Sequence, residues 1–311
     1  MQLTIKKKPY DGDPAKDRDK FIGGSDAGAI FGLNPYKSAY RLWAEKTGKV
    51  SSEIPDNDAL RTGRDLEQYV AERFSEKTGK KVRRDNTTYY VDEYPFIAGH
   101  VDRRVVGENA ILECKTASSY QNPEYAAGNF PPHYYAQCQH YMAVTGAEKV
   151  YLAVLCFPHL YYTEYSRDER EIEALISGEV NFWNMVKDNT PPAPDGSDSS
   201  RNTLDELYPS SNPERSLTMP KNIVTAVETL ESMKDTAKKL DAEIKSQENI
   251  IKAFLGDAET AVGTDWAVTW KTSKRTGIDS ARLKRERPDI FEHYQKTTES
   301  RTFRTKRRTA E

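Results

Sequence analysis

Residues 100–116, HVDRRVVGENAILECKT, decide the reading of the fold. Two stretches rich in apolar and β-branched residues, Phe96 to Val105 and Ala110 to Thr116, flank Gly107-Glu108, a pattern that predicts a hairpin. With Gly107-Glu108 as a two-residue loop, Asp102 falls directly opposite Glu113. Opposed residues on paired strands have Cβ atoms about 4.5–5.5 Å apart, so the two carboxylates share one face. Side chains alternate along a strand, so Lys115 projects from that face as well. An Asp followed by Glu-x-Lys is by itself common, and a solvent-facing hairpin of mixed charge accounts for it. The neighbours Val101, Ile111, Leu112 and Cys114 instead suit a strand covered on at least one side, where unpaired carboxylates are costly.

Working outward, the flanking segments alternate helix and strand patterns and predict one mixed α/β domain over about residues 18 to 190. Upstream, helices are expected at Ser25 to Phe31, at Ser38 to Lys46 closed by Gly48, and at Asp58 to Lys77 closed by Gly79. A strand at Thr87 to Val91 precedes the hairpin. Downstream, Pro131-Pro132 opens a helix that ends at Gly146, and KVYLAVLC (149–156) reads as a buried central strand. Leu160 to Tyr165 is expected to pair with it, and a helix over Asp168 to Asp188 closes the domain.

Residues 191–215, PPAPDGSDSSRNTLDELYPSSNPER, carry too few apolar residues to pack and read as a flexible linker. The third region, 216–311, opens on a heptad seam. Leu230, Met233, Ala237, Leu240, Ile244, Gln247, Ile251 and Phe254 alternate spacings of three and four residues along one long helix. Such a stripe needs a partner, within the chain or in another subunit. A small basic α/β lobe follows, with a strand at Trp266 to Lys271, helices near Ser280 to Arg285 and Pro288 to Tyr294, and a last strand at Arg301 to Thr305. Its cations, from Lys271 to Arg308, interleave with Trp266, Trp270, Phe291, Tyr294 and Phe303, which suits a nucleic-acid backbone or a solvated basic face.

Composition excludes several classes. The chain has 311 residues, 37% of them hydrophobic, and a net charge of −2. No apolar run approaches the roughly 18 residues of a membrane span, and the opening residues lack a signal-peptide core, so a cytoplasmic protein is expected. Cys114, Cys138 and Cys156 stand singly, without zinc, iron–sulfur or disulfide spacing. Gly23-Gly24-Ser25 before a helix offers amides and a hydroxyl to an anion, or else merely turns and caps the helix. The lysine of a Walker loop is absent, so ATP use is not expected.

More polar groups border the hairpin. Glu67 sits at the edge of the apolar face of its helix, and Gln137 and Tyr141 lie one turn apart on the Pro132 helix, pointing the same way. His100, His133, His140 and His159 are scattered, and His100 is the one nearest the hairpin carboxylates.

FIGGSDAGAIFGLNPYKSAYRLWAEKTGK (21–49), TGRDLE (62–67), GHVD (99–102), LECK (112–115) and AQCQHYM (136–142) occur in this order. Together they resemble the YqaJ-type viral recombinase family, relatives of the phage lambda exonuclease within the PD-(D/E)XK, restriction-endonuclease-like, nuclease superfamily. The resemblance implies that core, a central mixed sheet flanked by helices. It further implies that Asp102 and Glu113 bind Mg²⁺, or Mn²⁺ in its place, with the Cys114 carbonyl and Glu67 as further metal-site groups. Lys115 becomes the catalytic lysine, Gln137 the helix-borne glutamine behind it, and Arg18 with Ser25 the pair that contacts a 5′ phosphate. Tyr141 and His100 are supporting candidates. The four cysteines of the cluster-bearing cousins are missing, so no iron–sulfur cluster is expected.

The implied activity is a metal-dependent exonuclease on linear duplex DNA, 5′ to 3′, that exposes a strand for a phage annealing protein. Ring-shaped trimers in relatives imply a homo-oligomer, and phage or prophage origin goes with the family. A nicking or structure-specific endonuclease on the same core, and a non-catalytic DNA-binding scaffold, are the alternatives.

Overall fold

The computed structural model of the chain describes residues 3–9, 18–53 and 57–307. It divides into two compact units, Met1–Tyr208 and Pro209–Glu311. In chain order the first unit holds β1 (Ile5–Pro9), α1 (Gly24–Ile30), α2 (Ala39–Lys46), α3 (Asp58–Thr78), β2 (Val82–Arg84), β3 (Thr87–Val91), β4 (Tyr94–Gly99), β5 (Arg103–Val105) and β6 (Ala110–Ala117). It continues with α4 (Asn122–Ala126), α5 (Pro132–Thr145), β7 (Lys149–Cys156), β8 (His159–Ser166), α6 (Glu169–Lys187) and α7 (Asp198–Leu207).

A five-stranded mixed sheet in the order β2-β5-β6-β7-β8 forms the centre, and β6 and β7 are its parallel pair. Both faces of this pair are covered. Ile111, Val150, Leu152 and Val154 belong to a core shared with Cys138, Met142 and Val144 of α5 and Ile172 of α6. Leu112, Tyr151, Ala153 and Leu155 face the other way, onto Val70, Ala71 and Phe74 of α3. This is why KVYLAVLC is a continuous apolar run rather than an alternating one. Burial of a side chain such as Leu152, fully enclosed, contributes roughly 1.5–3 kcal/mol.

Two boundaries differ from expectation. The segment anticipated as a single strand from Phe96 to Val105 is divided between two sheets. β4 pairs with β3 in a three-stranded sheet, β5 pairs with β6 in the central one, and His100 to Asp102 cross between them. The hairpin register nevertheless runs as anticipated, with Arg103 opposite Leu112 and Arg104 opposite Ile111. Asp102 therefore stands just before the strand that would align it with Glu113, and its Oδ2 accepts the Cys114 amide hydrogen at 2.8 Å.

The second difference lies in residues 191–215. They are not a uniform linker, because Asp198–Leu207 folds as α7, capped by Ser197. It docks through hydrogen bonds where apolar area is scarce. Ser199 Oγ accepts the Ser38 amide at 3.0 Å, Glu206 pairs with Arg41, and Thr203 is fully buried. β1 and β2 were also not anticipated: the lysines of IKKKP and the arginines of VRR mask short strands that need only one covered face.

The second unit holds α8 (Lys221–Leu255), the hairpin β9 (Thr260–Val262) and β10 (Ala267–Thr269), and the short α9 (Ser280–Glu286) and α10 (Pro288–His293). No strand forms at Arg301 to Thr305. There Thr305 uses its hydroxyl to meet Glu231 and Lys234 of α8 instead of entering a ladder. Arg308 lies outside the described residues. No helix among the described residues is long and apolar enough to cross a membrane.

Candidate active site

β6 delivers Glu113 and Lys115 to the α5 side of the sheet, two residues apart on the same face as Ile111. Lys115 Nζ lies 2.7 Å from Glu113 Oε1. Gln137 Nε2 on α5 donates to the same Oε1 at 2.8 Å and to the Tyr141 hydroxyl at 2.9 Å. Glu113 Oε2 is buried and has no hydrogen-bond partner among the described residues.

The electrostatics follow from this crowding. Burial first, then the charges of Glu113 and Glu67, push the Asp102 carboxyl well above its ordinary value. Burial alone would lower the Lys115 ammonium, but the charge and hydrogen bond of Glu113, with Asp102 behind it, outweigh burial and raise it. Lys115 is thus a held cation. Its Nζ also lies 5.4 Å from the centre of the Tyr134 ring.

Glu67 has a different partner. On α3, across the sheet from α5, it binds Arg103 Nη1 at 2.6 Å, and Gln68 takes the other guanidinium nitrogen at 3.1 Å. Among the described residues no three His, Cys, Asp or Glu side chains gather at metal-ligand spacing. The carboxylate donors available together are Asp102 and Glu113. His100 bonds Thr88 Oγ1 on β3 through Nε2 at 2.8 Å, and burial, with Lys8, lowers its pKa. His140 is a fully buried core residue on Glu179, at 2.7 Å.

Lys115, Ser25 and Arg18 line one cleft of about 670 Å³. Its walls come from α1, α2, Leu60 of α3, and Ser199 and Asn202 of α7, so the segment expected to be a linker forms part of it. Ser25 is not the N-cap. That position is Gly23, with extended φ of −101°, and Ser25 is the second residue of α1. The glycines serve close packing rather than a turn. A Cβ on Gly24 would stand 2.6 Å from Tyr141 and 3.1 Å from Gln137, and one on Gly28 would stand 2.6 Å from His133. α1 is thereby pressed against the helix that carries Gln137.

Two residues of this region escaped the sequence reading. Lys46, nearly buried at the end of α2, donates to the carbonyl of Arg18, to that of Phe21 at 2.6 Å, and to Asp26 Oδ2 at 2.7 Å. Asp26 also accepts the Gly23 amide at 3.2 Å. An acid three residues after Gly23 was a visible capping signal, whereas nothing local marks Lys46, whose partners all lie on other elements.

Residues 15–148 match the family described as YqaJ-like viral recombinase domain. The uncharacterized protein YqaJ of Bacillus subtilis (strain 168) is 36% identical over 291 residues, covering 92% of this chain and 91% of its own length. Two solved structures share a looser likeness. An alkaline exonuclease (LHK-Exo) from Laribacter hongkongensis is 18% identical, with 57% of this chain and 92% of that one covered and a TM-score of 0.49. A phage related exonuclease from Haemophilus somnus 129PT is 14% identical over 54% of this chain and 96% of that one, with a TM-score of 0.41. On the YqaJ relationship, which runs nearly end to end, the chain belongs to the YqaJ family of viral-recombinase-like proteins.

Proposed function

We propose that the protein is a Mg²⁺-dependent deoxyribonuclease that degrades linear duplex DNA from an end, 5′ to 3′. One observation carries the reading: Lys115 lines the same cleft as Arg18 and Ser25, while the carboxylate it pairs with, Glu113, keeps a buried oxygen without a partner among the described residues. A buried carboxylate oxygen left bare is costly, and the adjacent Asp102 carboxyl, pushed well up by burial and then by the charges of Glu113 and Glu67, marks a place where a cation would relieve crowded acidic groups. The donor set fits a hard cation. Mg²⁺ takes one or two carboxylates and fills its octahedron with water and phosphate oxygens.

Asp102 and Glu113 would hold the ion, with the Cys114 carbonyl as the third protein donor, and Glu67 would act on it through charge. When bound, it supplies Lewis-acid polarisation of the scissile phosphodiester. Lys115, kept in its ammonium form by the negative charge beside it, orients the attacking water and offsets charge on the phosphate. Gln137 fixes the Glu113 carboxylate in place from behind, and Tyr141 fixes Gln137. Arg18 and Ser25 take the terminal 5′ phosphate, which sets the end of the strand at a defined distance from Lys115. The exposed complementary strand is the product a single-strand annealing protein uses in recombination.

The test is digestion of end-labelled linear duplex with Mg²⁺ and with EDTA, beside covalently closed circles. Release of mononucleotides from linear DNA only, abolished by EDTA and by Lys115→Ala or Asp102→Ala, is expected. Cleavage of closed circles would reassign the site to an endonuclease, and full activity in both variants would remove it from the chemistry.

A further inference from the structure

We infer that α8 is the interface between two copies of this chain, paired as an antiparallel coiled coil. This rests on the second unit alone and is independent of the nuclease reading.

The seam recognised from Leu230 to Phe254 extends back to Ile223 and Ala226, so the three-four alternation occupies nearly the whole of α8. A repeat sustained beyond three or four heptads is the signature of a helix that pairs with another helix. Among the described residues the second unit provides none, since α9 and α10 are only 7 and 6 residues long. The seam stands open: Met233 is 64% exposed, Leu240 56%, Ile244 50% and Phe254 79%. Leu255 is the sole buried apolar residue of this unit among those described. A helix of 35 residues gains most of its stability from packing an apolar face, and the described residues of the second unit do not supply that packing.

Two features choose the second copy and its direction. The first is charge. In a parallel pair each residue flanking the seam on one side meets the residue five places on in its partner, which sets Glu243 against Glu248 twice. In the antiparallel pair of full overlap, Lys234 meets Asp241 of the partner subunit, again twice, and like charges are avoided. Among the described residues Lys234 meets Glu231 and Thr305, and Asp241 meets Lys245; both side chains remain about half exposed or more, 49% and 59%.

The second feature is size. Parallel pairing puts Ala226 on Ala226 and Ala237 on Ala237, which leaves thin layers. Antiparallel pairing puts Ala226 opposite Ile251 and Ala237 opposite Leu240, so every small residue meets a large one.

Light scattering on the full chain tests this. The wild type is expected to have twice the mass of the Leu240→Glu/Ile244→Glu variant, with helical content by circular dichroism showing that the variant remains folded. Equal masses would overturn the proposal. Charge exchange tests orientation without touching the seam. Lys234→Glu and Asp241→Lys should each weaken self-association about tenfold, and the double variant should restore it. A double variant no better than the weaker single one would overturn the antiparallel pairing.

Discussion

β7 and α8 carry the two plainest apolar patterns in the chain, and they meet opposite fates. β7 is buried from Val150 to Cys156 between two helical layers, whereas α8 leaves its seam open to solvent. A strand cannot satisfy its backbone without neighbours, so β7 had to be built into a sheet; a helix satisfies its own and can wait for a partner. The first unit is thus self-sufficient, and it encloses polar groups such as Glu113, Gln137 and His140 with partners supplied by the fold. The second buries almost nothing by itself. We therefore expect chemistry and folding to be decided in the first unit, and assembly in the second.

The largest effects should come from the enclosed polar groups. Asp102→Asn or Lys115→Met should lower nucleotide release by ~10³-fold or more, because charge on the reacting phosphate is then uncompensated. Leu240→Glu/Ile244→Glu on α8 should leave the single-turnover rate within about twofold, since none of its groups meets the scissile bond. Rates measured on both variants check the contrast; a comparable loss from the α8 changes would break it.

Stability divides the same way. Leu152→Ala in β7 should cost ~2–5 kcal/mol in urea unfolding followed by the first unit's tryptophans, Trp43 and Trp183. Leu240→Ala in α8 should leave that transition in place. Of intermediate size is Lys46→Met, which frees the Arg18 loop from Phe21 and Asp26. Selectivity for 5′-phosphorylated over 5′-hydroxyl ends should fall about tenfold, as expected for loss of ~1.4 kcal/mol of positioning. Equal slowing on both ends would mean a merely structural lysine.

The smallest effect concerns Asp85, beside β2 and β3. It accepts from the Tyr89 hydroxyl at 2.7 Å and from Arg104 at 3.1 Å. Burial would raise its pKa, but hydrogen bonds from Thr87, Tyr89 and Arg104 outweigh it and hold it below the ordinary 3.8. The folded value is the lower one, so its stabilisation is complete above the unfolded pKa and is lost as pH falls through the folded value. Asp85→Asn should cost roughly 1 kcal/mol at pH 7 and flatten the loss of stability below about pH 4. An unaltered acid limb in urea titrations would refute it.

Several positions were readable because their signals are local. Gly79 and Gly146 end helices with positive φ, as their places in the pattern required, and the ends of β3 and β7 coincide with their apolar runs. The hairpin register followed from the alternation on each side of Gly107. The break at His100–Asp102 was not readable, because an extended segment can pair in either sheet, and which partner strand it meets, β3 before the break and β6 after it, is a long-range outcome. α7 was missed for a related reason: its attachment to α2 runs through polar groups, Ser199 with the Ser38 amide and Glu206 with Arg41, and apolar periodicity does not report polar docking.

By itself the sequence determined the alternation of elements, the pairing of the β5–β6 hairpin, the proximity of Glu113 to Lys115 and the heptad phase of α8, because period and turn chemistry are written into neighbouring residues. Only the tertiary structure decided that Glu67 is engaged by Arg103, that Lys46 secures the Arg18 loop, and that α7 walls the cleft. Each of those depends on which distant side chain satisfies a charge once water is excluded, and that choice is made by packing, not by spacing along the chain.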